Sequence, residues 1–282
     1  MRVFSDSDVF PIAFEGARIV VNKGLSNHFQ ISHTLTMSSV MPSGYRFGTT
    51  YVGTKQVGPG ESYPVLLADI DPSGNLNANI LHLLNNQTKV KVSAQFDESR
   101  VMGQAVTEYR GEDYTASCTF VNANPVSLSG IGVLQYLQSV TPSIDAGAEL
   151  VYQQGPQIPN GRLAALSLSA RYKSPADDYI LSGSLSSMRA NACYFHKAQD
   201  NLLFGVEVET DFRERTSVGT FGYQFELPKD NFTFKGSIDT NWTVGAVLEK
   251  KLAPMPFTFL LSGHVVHGRK PDYRFGCGLL IG

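Results

Sequence analysis

Glu207, Glu209 and Asp211 stand at every second position of one segment, and on an extended chain that spacing puts all three carboxylates on one face. Acids so arranged and kept in water form a negative stripe that attracts cations, above all flexible segments rich in Arg and Lys. Other chemistry is weakly signalled. Cys118, Cys193 and Cys277 are widely separated, odd in number and form no C-x-x-C pair, which reads as free thiols packed on strands. His264 and His267 are three apart, so on a strand they face opposite sides and make no metal site. Gly276-x-Gly278-x-x-x-Gly282 opens no helix and is followed by no acid, unlike a phosphate-binding loop. There is no G-x-S-x-G elbow and no Cys/His arrangement of the nucleophilic kind. No enzyme activity, catalytic residue, cofactor or metal is expected.

The bulk numbers narrow the classes further. A net charge of −2 does not suit a nucleic-acid binder, which carries a clustered basic excess. With 42% hydrophobic and 17% charged residues, the chain contains no run of about 18 apolar residues that would cross a bilayer as a helix. That leaves strand-built spans open, because alternating strands score poorly on hydropathy. The segment Met1–Asp8 has no apolar h-region and is too acidic for a transit peptide. Without a signal peptide, the sequons at Asn86, Asn231 and Asn241 read as chance matches.

The elements that position these residues are strands. Segment after segment alternates apolar and polar, interrupted about every 12 to 15 residues by Gly, Pro, Asn, Asp or Ser. Phe204, Val206 and Val208 oppose Glu207, Glu209 and Asp211; Phe232, Phe234 and Ile238 oppose Thr233, Lys235, Ser237 and Asp239. Leu166, Leu168, Ala170 and Tyr172 oppose Ser167, Ser169, Arg171 and Lys173. Trp242, Val244, Ala246 and Leu248 oppose Asn241, Thr243, Gly245 and Glu249. Counting such runs from Ala17 to Ile281 gives about nineteen strands of the length a tilted barrel strand needs. Leu76–Leu84 and Leu128–Ser139 carry apolar residues on both faces, which leaves their register open. Phe10 and Phe14, at i and i+4 before the first strand, predict one short helix over Ser5–Phe14, limited by Pro11.

Turns such as Met41-Pro42-Ser43-Gly44 and Asp71-Pro72-Ser73-Gly74 are too short for parallel crossovers, so the strands form an antiparallel meander. A soluble all-β binding protein would alternate too, but two packed sheets need some longer crossing links. A barrel of this many strands is too wide for side chains to fill, so its interior is wet and its exterior apolar. The charges of both signs on one face, and tyrosines near strand ends (Tyr109, Tyr152, Tyr172, Tyr223), fit such a membrane-spanning barrel. An odd count makes the first and last strands run the same way, so the barrel closes on a parallel pair. The expected organisation is an N-terminal lumenal segment over 1–16 and a transmembrane β-barrel over 17–282.

Several motifs then carry a resemblance. Val9-Phe10-Pro11-x-x-Phe14-Glu15-Gly16-Ala17-x-Ile19-x-Val21-Asn22-Lys23-Gly24-Leu25-Ser26 leads into His28-Phe29-Gln30 and later Phe47-Gly48-x-Thr50-Tyr51-Val52-Gly53-Thr54-Lys55-Gln56. Further runs are Gly147-Ala148-Glu149-Leu150-Val151-Tyr152, Phe221-Gly222-Tyr223-Gln224, Lys235-Gly236-Ser237-x-Asp239-x-Asn241-Trp242 and Val247-Leu248-Glu249-Lys250-Lys251-Leu252. Across essentially its whole length the chain resembles the channel-forming subunits of the mitochondrial outer-membrane protein translocase, within the eukaryotic mitochondrial porin superfamily. The resemblance implies a mitochondrial outer-membrane channel for unfolded precursor proteins, with the alternative of a general ion or metabolite channel like the voltage-dependent anion channels. It also implies paired barrels, so a second copy of the barrel as partner, together with a receptor subunit, small single-span subunits and the outer-membrane lipids. An N-terminal segment, partly helical, would lie in the lumen. Members usually carry a longer leader before this segment, whereas only a few residues precede Val9 here; functions of that leader are not carried over.

The expected pore-lining and precursor-contacting residues are Glu108, Glu149, Glu207, Glu209, Asp211, Lys235, Asp239 and Glu249. The final run resembles the sorting signal of mitochondrial barrels, carried by Arg274, Gly276, Leu279 and Ile281. There Gly276 would permit close strand approach, and Ile281 would face lipid.

Overall fold

The computed structural model describes residues 9–282, except 41, 59–60, 98–99, 125–128, 156–157, 159–160 and 268–270, and gives backbone alone at 123–124. The strands are β1 Gly16–Gly24, β2 Phe29–Met37, β3 Gly44–Gly58, β4 Glu61–Ile70, β5 Leu76–Asn85, β6 Thr88–Asp97 and β7 Arg100–Arg110. They continue as β8 Tyr114–Asn124, β9 Ser129–Thr141, β10 Ile144–Gln154, β11 Arg162–Lys173, β12 Tyr179–Ser186 and β13 Arg189–Gln199. The remainder are β14 Leu202–Asp211, β15 Thr216–Leu227, β16 Phe232–Asp239, β17 Thr243–Lys251, β18 Phe257–Val266 and β19 Asp272–Ile281. Each strand pairs with its successor, and β1 pairs with β19, so the 19-stranded sheet closes on itself as a barrel. The closing pair is parallel, running from Gly16 opposite Gly276 to Val21 opposite Ile281.

The expected count and the parallel closure are both observed; the expected helix is absent from the part of its range that is described, Val9–Phe14. Ser5–Asp8 lie outside the described residues. Val9 and Phe10 turn and bend, and Pro11–Glu15 carry no helix. Proline removes a donor there, and the following residues spend their polar groups on the barrel wall instead. A 3-10 turn, Pro228–Asp230, lies between β15 and β16. Trp242, placed by alternation on a strand face, sits in the turn before β17 with a left-handed φ of 58°.

The chain divides into two compact units, residues 1–21, 35–44 and 169–282, and residues 22–34 and 45–168. In the second unit, direct cross-strand partners sort the two faces by polarity. Lys89 opposes Glu108, Glu108 opposes Ser117, and Gln135 opposes Glu149. Ser117 donates to Gln135 at 2.7 Å and Gln135 donates to Glu149 at 2.7 Å, so the polar face is laced across β8, β9 and β10. Phe120, Leu134 and Leu150 point the other way and are exposed, Leu134 at 54%. The tyrosines Tyr109, Tyr114 and Tyr136 on that apolar face have ring centroids 6.0 and 5.8 Å apart. Cross-strand aromatic pairs of this kind contribute about 0.2–1 kcal/mol each.

The two poorly phased segments become β5 and β9. The extra apolar side chains of β5 lie on its polar face: Leu81 opposes Lys91, and Leu83 opposes Lys89. Leu83 is 1% exposed and Tyr63 4%, with the Lys89 ammonium 5.7 Å from the Tyr63 ring centroid. A local apolar cluster on an otherwise polar wall therefore masks the alternation.

In the first unit a second tyrosine row, Tyr172, Tyr179 and Tyr194, has successive centroids 6.0 Å apart. Its turns are capped by strand-end acids. Asp211 Oδ1 accepts from the Arg213 and Glu214 amides at 2.8 and 3.0 Å; Asp239 Oδ1 accepts from the Asn241 and Thr243 amides, both at 2.8 Å. Short polar side chains satisfy turn amides that have no ladder partner.

Adjacent residues of β9 give a direct test of which face meets lipid. Leu134→Arg should cost about 2–4 kcal/mol of unfolding free energy in liposomes, as for a cation near the bilayer midplane. Gln135→Arg, one residue on and facing Glu149, should cost less than about 1 kcal/mol. Urea unfolding of the two variants in the same vesicles reads the difference; equal costs would show that the faces are wrongly assigned.

Candidate functional site: an inner wall with a seated N-terminal segment

The inner face of the first unit is identified by what lies on it. Cβ atoms built on Gly205 and Gly222 would stand 3.3 and 2.7 Å from the Phe10 ring. One on Gly245 would be 3.6 Å from Pro11, and one on Gly276 would be 2.7 Å from the Phe14 ring. Residues 9–14 thus cross β14, β15, β17 and β19 on a bed of glycines, and Val9 is only 1% exposed. Substituting any larger residue at Gly222 or Gly276 would drive side-chain atoms into the segment. The Phe14 amide adds a hydrogen bond to Ser262 Oγ at 2.9 Å, satisfying a donor that has no strand partner.

The same face carries the predicted acids. Gly205, Glu207, Glu209 and Asp211 alternate along β14, and β14 registers Glu207 with Thr220 of β15 and Glu209 with Asn191 of β13. Thr220 opposes Asp239, Gln224 opposes Lys235, and Thr233 opposes Glu249, so Lys235, Asp239 and Glu249 share this wall. Glu108 and Glu149 lie on the polar face of the second unit, where Glu108 is also paired with Arg110 at 2.9 Å.

The acidic stripe is less free than its spacing suggests. Arg189 reaches Asp211 at 3.2 Å and Glu209 at 3.6 Å, while Asn191 donates to Glu207 at 2.9 Å. Asp211 and Asp239 also cap turns, so their charge is partly committed to folding. Screened pairs of this exposure hold only about 0–1 kcal/mol each, weak enough to exchange for another cation. Sequence reasoning missed Arg189 and Asn191, which β13 brings opposite the stripe; only the register of two separate strands reveals them. It also missed the glycine bed, although Gly205, Gly222, Gly245 and Gly276 all fall at inward positions of the alternation.

In the final strand, Arg274 faces inward and pairs with Asp272 at 2.6 Å. Leu279 and Ile281 fall on the opposite face, beside Ile19 and Val21 of β1. Gly276 corrects one expectation. The close approach it allows is to Phe14 of the seated segment, whose carbonyl oxygen and ring lie over it, rather than to a neighbouring strand.

Glu15 anchors the other end of the segment. Its carboxylate accepts from the Ser39 hydroxyl at 2.5 Å, the Ser38 hydroxyl at 3.1 Å and the Ser39 amide at 3.4 Å. The Ser39 hydroxyl first, then Ser38 and the local amides, hold the Glu15 carboxyl below its usual range against the opposing effect of burial. A depressed carboxyl stabilises the seated state above its ordinary titration range and loses that contribution as pH falls through the lowered value. Cleavage ahead of Gly16 by an acid-tolerant protease should therefore rise below about pH 4 and stay flat from pH 5 to 8. Gly222→Leu should raise the same cleavage several-fold at neutral pH, because it displaces Phe10; unchanged protection would show that the bed does not seat the segment.

With the geometry in place, comparison with known proteins assigns the chain. A family model described as "Eukaryotic porin" matches residues 6–276. "Mitochondrial import receptor subunit TOM40 homolog 2" of Drosophila melanogaster is 49% identical over 276 residues, covering 98% of this chain and 80% of the relative. The Caenorhabditis elegans "Mitochondrial import receptor subunit TOM40 homolog" is 47% identical over 277 residues, covering 98% and 90%. The Homo sapiens protein of the same name is 45% identical over 276 residues, covering 98% and 75%. A closed barrel with one parallel pair, a polar wall and near full-length similarity to these proteins give one assignment: the chain belongs to the eukaryotic porin family.

Proposed function

We propose that the chain is a protein-conducting channel of the mitochondrial outer membrane, through which unfolded, presequence-bearing precursors pass. The observation that carries this reading is identity of 45–49% over nearly the whole chain to proteins named as mitochondrial import receptor subunits. The porin barrel by itself would serve a general ion or metabolite channel equally well; the names of these relatives favour import. The wall chemistry supports the same choice. Targeting leaders are rich in Arg and poor in acids, and Glu207, Glu209 and Asp211 offer them weakly held, exchangeable partners. A conduit needs sites that bind and release in series. Lys235, Asp239 and Glu249 on the same wall of the first unit, and Glu108 and Glu149 on the polar face of the second, are the further precursor-contacting residues. The outer-membrane lipids meet the apolar face. A receptor subunit, small single-span subunits and a second copy of the barrel complete the assembly, and Arg274, Gly276, Leu279 and Ile281 form the signal that directs barrel insertion.

The test uses Glu207→Lys with Glu209→Lys and leaves Asp211 in place, since its carboxylate caps a turn. Cation preference in bilayer recordings should fall, and import of an Arg-rich precursor should slow several-fold, more at low salt where screening is longer-ranged. Wild-type values of both would make the stripe structural only. The channel reading itself is tested separately, by arresting a precursor and asking whether it crosslinks to a photoreactive residue at Ser237 on the same wall; no crosslink would count against conduction through the barrel.

A further inference from the structure

The parallel seam between β1 and β19 is where the sheet closes, and two adjacent residues of the seated segment reach across it. On one side, the Phe14 amide donates to Ser262 of β18 at 2.9 Å, and the Phe14 ring and carbonyl lie over Gly276 of β19. On the other, Glu15 accepts three hydrogen bonds from Ser38 and Ser39, directly after β2. Gly16, between them, begins β1 at a φ of 88°, and a Cβ there would collide with the Met37 carbonyl at the end of β2. Residues 14–16 therefore touch β18, β19, β1 and the end of β2 in succession. Ser38 and Ser43 are tied to each other as well, the Ser38 amide donating to Ser43 Oγ at 2.8 Å, so Glu15 holds a braced turn rather than a loose one.

The seam has reason to need such a tie. It registers six residue pairs, against ten between β18 and β19, and parallel ladders are slightly less stable per residue than antiparallel ones. We infer that Phe14 and Glu15 form a clasp that holds the β1–β19 seam shut, and that seating of the N-terminal segment on the glycine bed is coupled to seam closure. Coupling of this kind is reciprocal. A molecule that lifts Phe10 and Phe14 off Gly222 and Gly276 loosens the seam, and a seam held shut favours the seated segment. The inference rests on the contacts alone and stands whether or not the barrel conducts proteins.

The experiment is amide hydrogen exchange on the full chain in vesicles, comparing residues 17–21 and 277–281 with the β14–β15 ladder. Glu15→Ala with Ser262→Ala should speed exchange at the seam at least ten-fold and leave β14–β15 unchanged. The register supplies a rescue: Ala17 lies opposite the native Cys277, so Ala17→Cys followed by oxidation bridges the two strands. Bridging should return seam exchange to the wild-type rate in the double variant. If that variant does not fold, Ser262→Ala alone makes the same comparison. Seam exchange that stays at the wild-type rate, or protection lost equally in β14–β15, would overturn the clasp.

Discussion

Backbone pairing governs this molecule. In hydrocarbon no water is present to satisfy an amide or a carbonyl, so a strand can cross only if both its edges are occupied. A meander of short turns satisfies every edge except the first and the last, and those two must then find each other. With nineteen strands they meet in the same direction, which is why β1 and β19 pair in parallel. The described residues before β1, Val9–Glu15, have no ladder position. Their polar groups are met instead by Ser262, Ser38 and Ser39, and their rings settle where glycines leave room. Closure thus fixes the location of the segment as well as that of the strands.

The wall that results has its two properties in sequence order. Odd positions of β14, β16 and β17 face inward and carry acids, Lys235 and small residues; even positions carry Val, Phe and Leu toward the membrane. Neighbouring strands then determine how active each acid is. Glu209 and Asp211 share Arg189, Glu207 has Asn191, and Asp211 and Asp239 also hold turns together. Residues of one chemical type, two apart, are thereby divided between folding and solute attraction.

Most of the architecture could be read from the chain because a half-wet strand writes its geometry into alternation. The strand number, the faces of β11, β14 and β16, and the parallel closure all follow from period and parity. Three things escaped that logic. The residues after Pro11 look helical by the spacing of Phe10 and Phe14, but that spacing serves contacts with Gly222 and Gly276, which no local pattern encodes. Trp242 continues an alternating run, yet belongs to a turn whose shape is imposed by the Asp239 carboxylate. Arg189 neutralises acids about twenty residues further along the chain, and only the pairing of β13 with β14 makes them neighbours.

Parallel closure has one more consequence, for the connectivity of the polypeptide. In an even-stranded meander the first and last strands begin and end at the same rim, and a few residues could join them. Here Gly16 and Ile281 lie at opposite ends of the seam. The register sets Gly16 opposite Gly276, five residues before Ile281, so at about 3.3 Å per residue the two stand about 17 Å apart along the seam. A circularly permuted version would need a tether running the length of the seam, and its inner route is already occupied at Gly276 by Phe14. Moving the chain ends elsewhere in the ring therefore requires added residues at the seam, where an even-stranded ring would need only a turn.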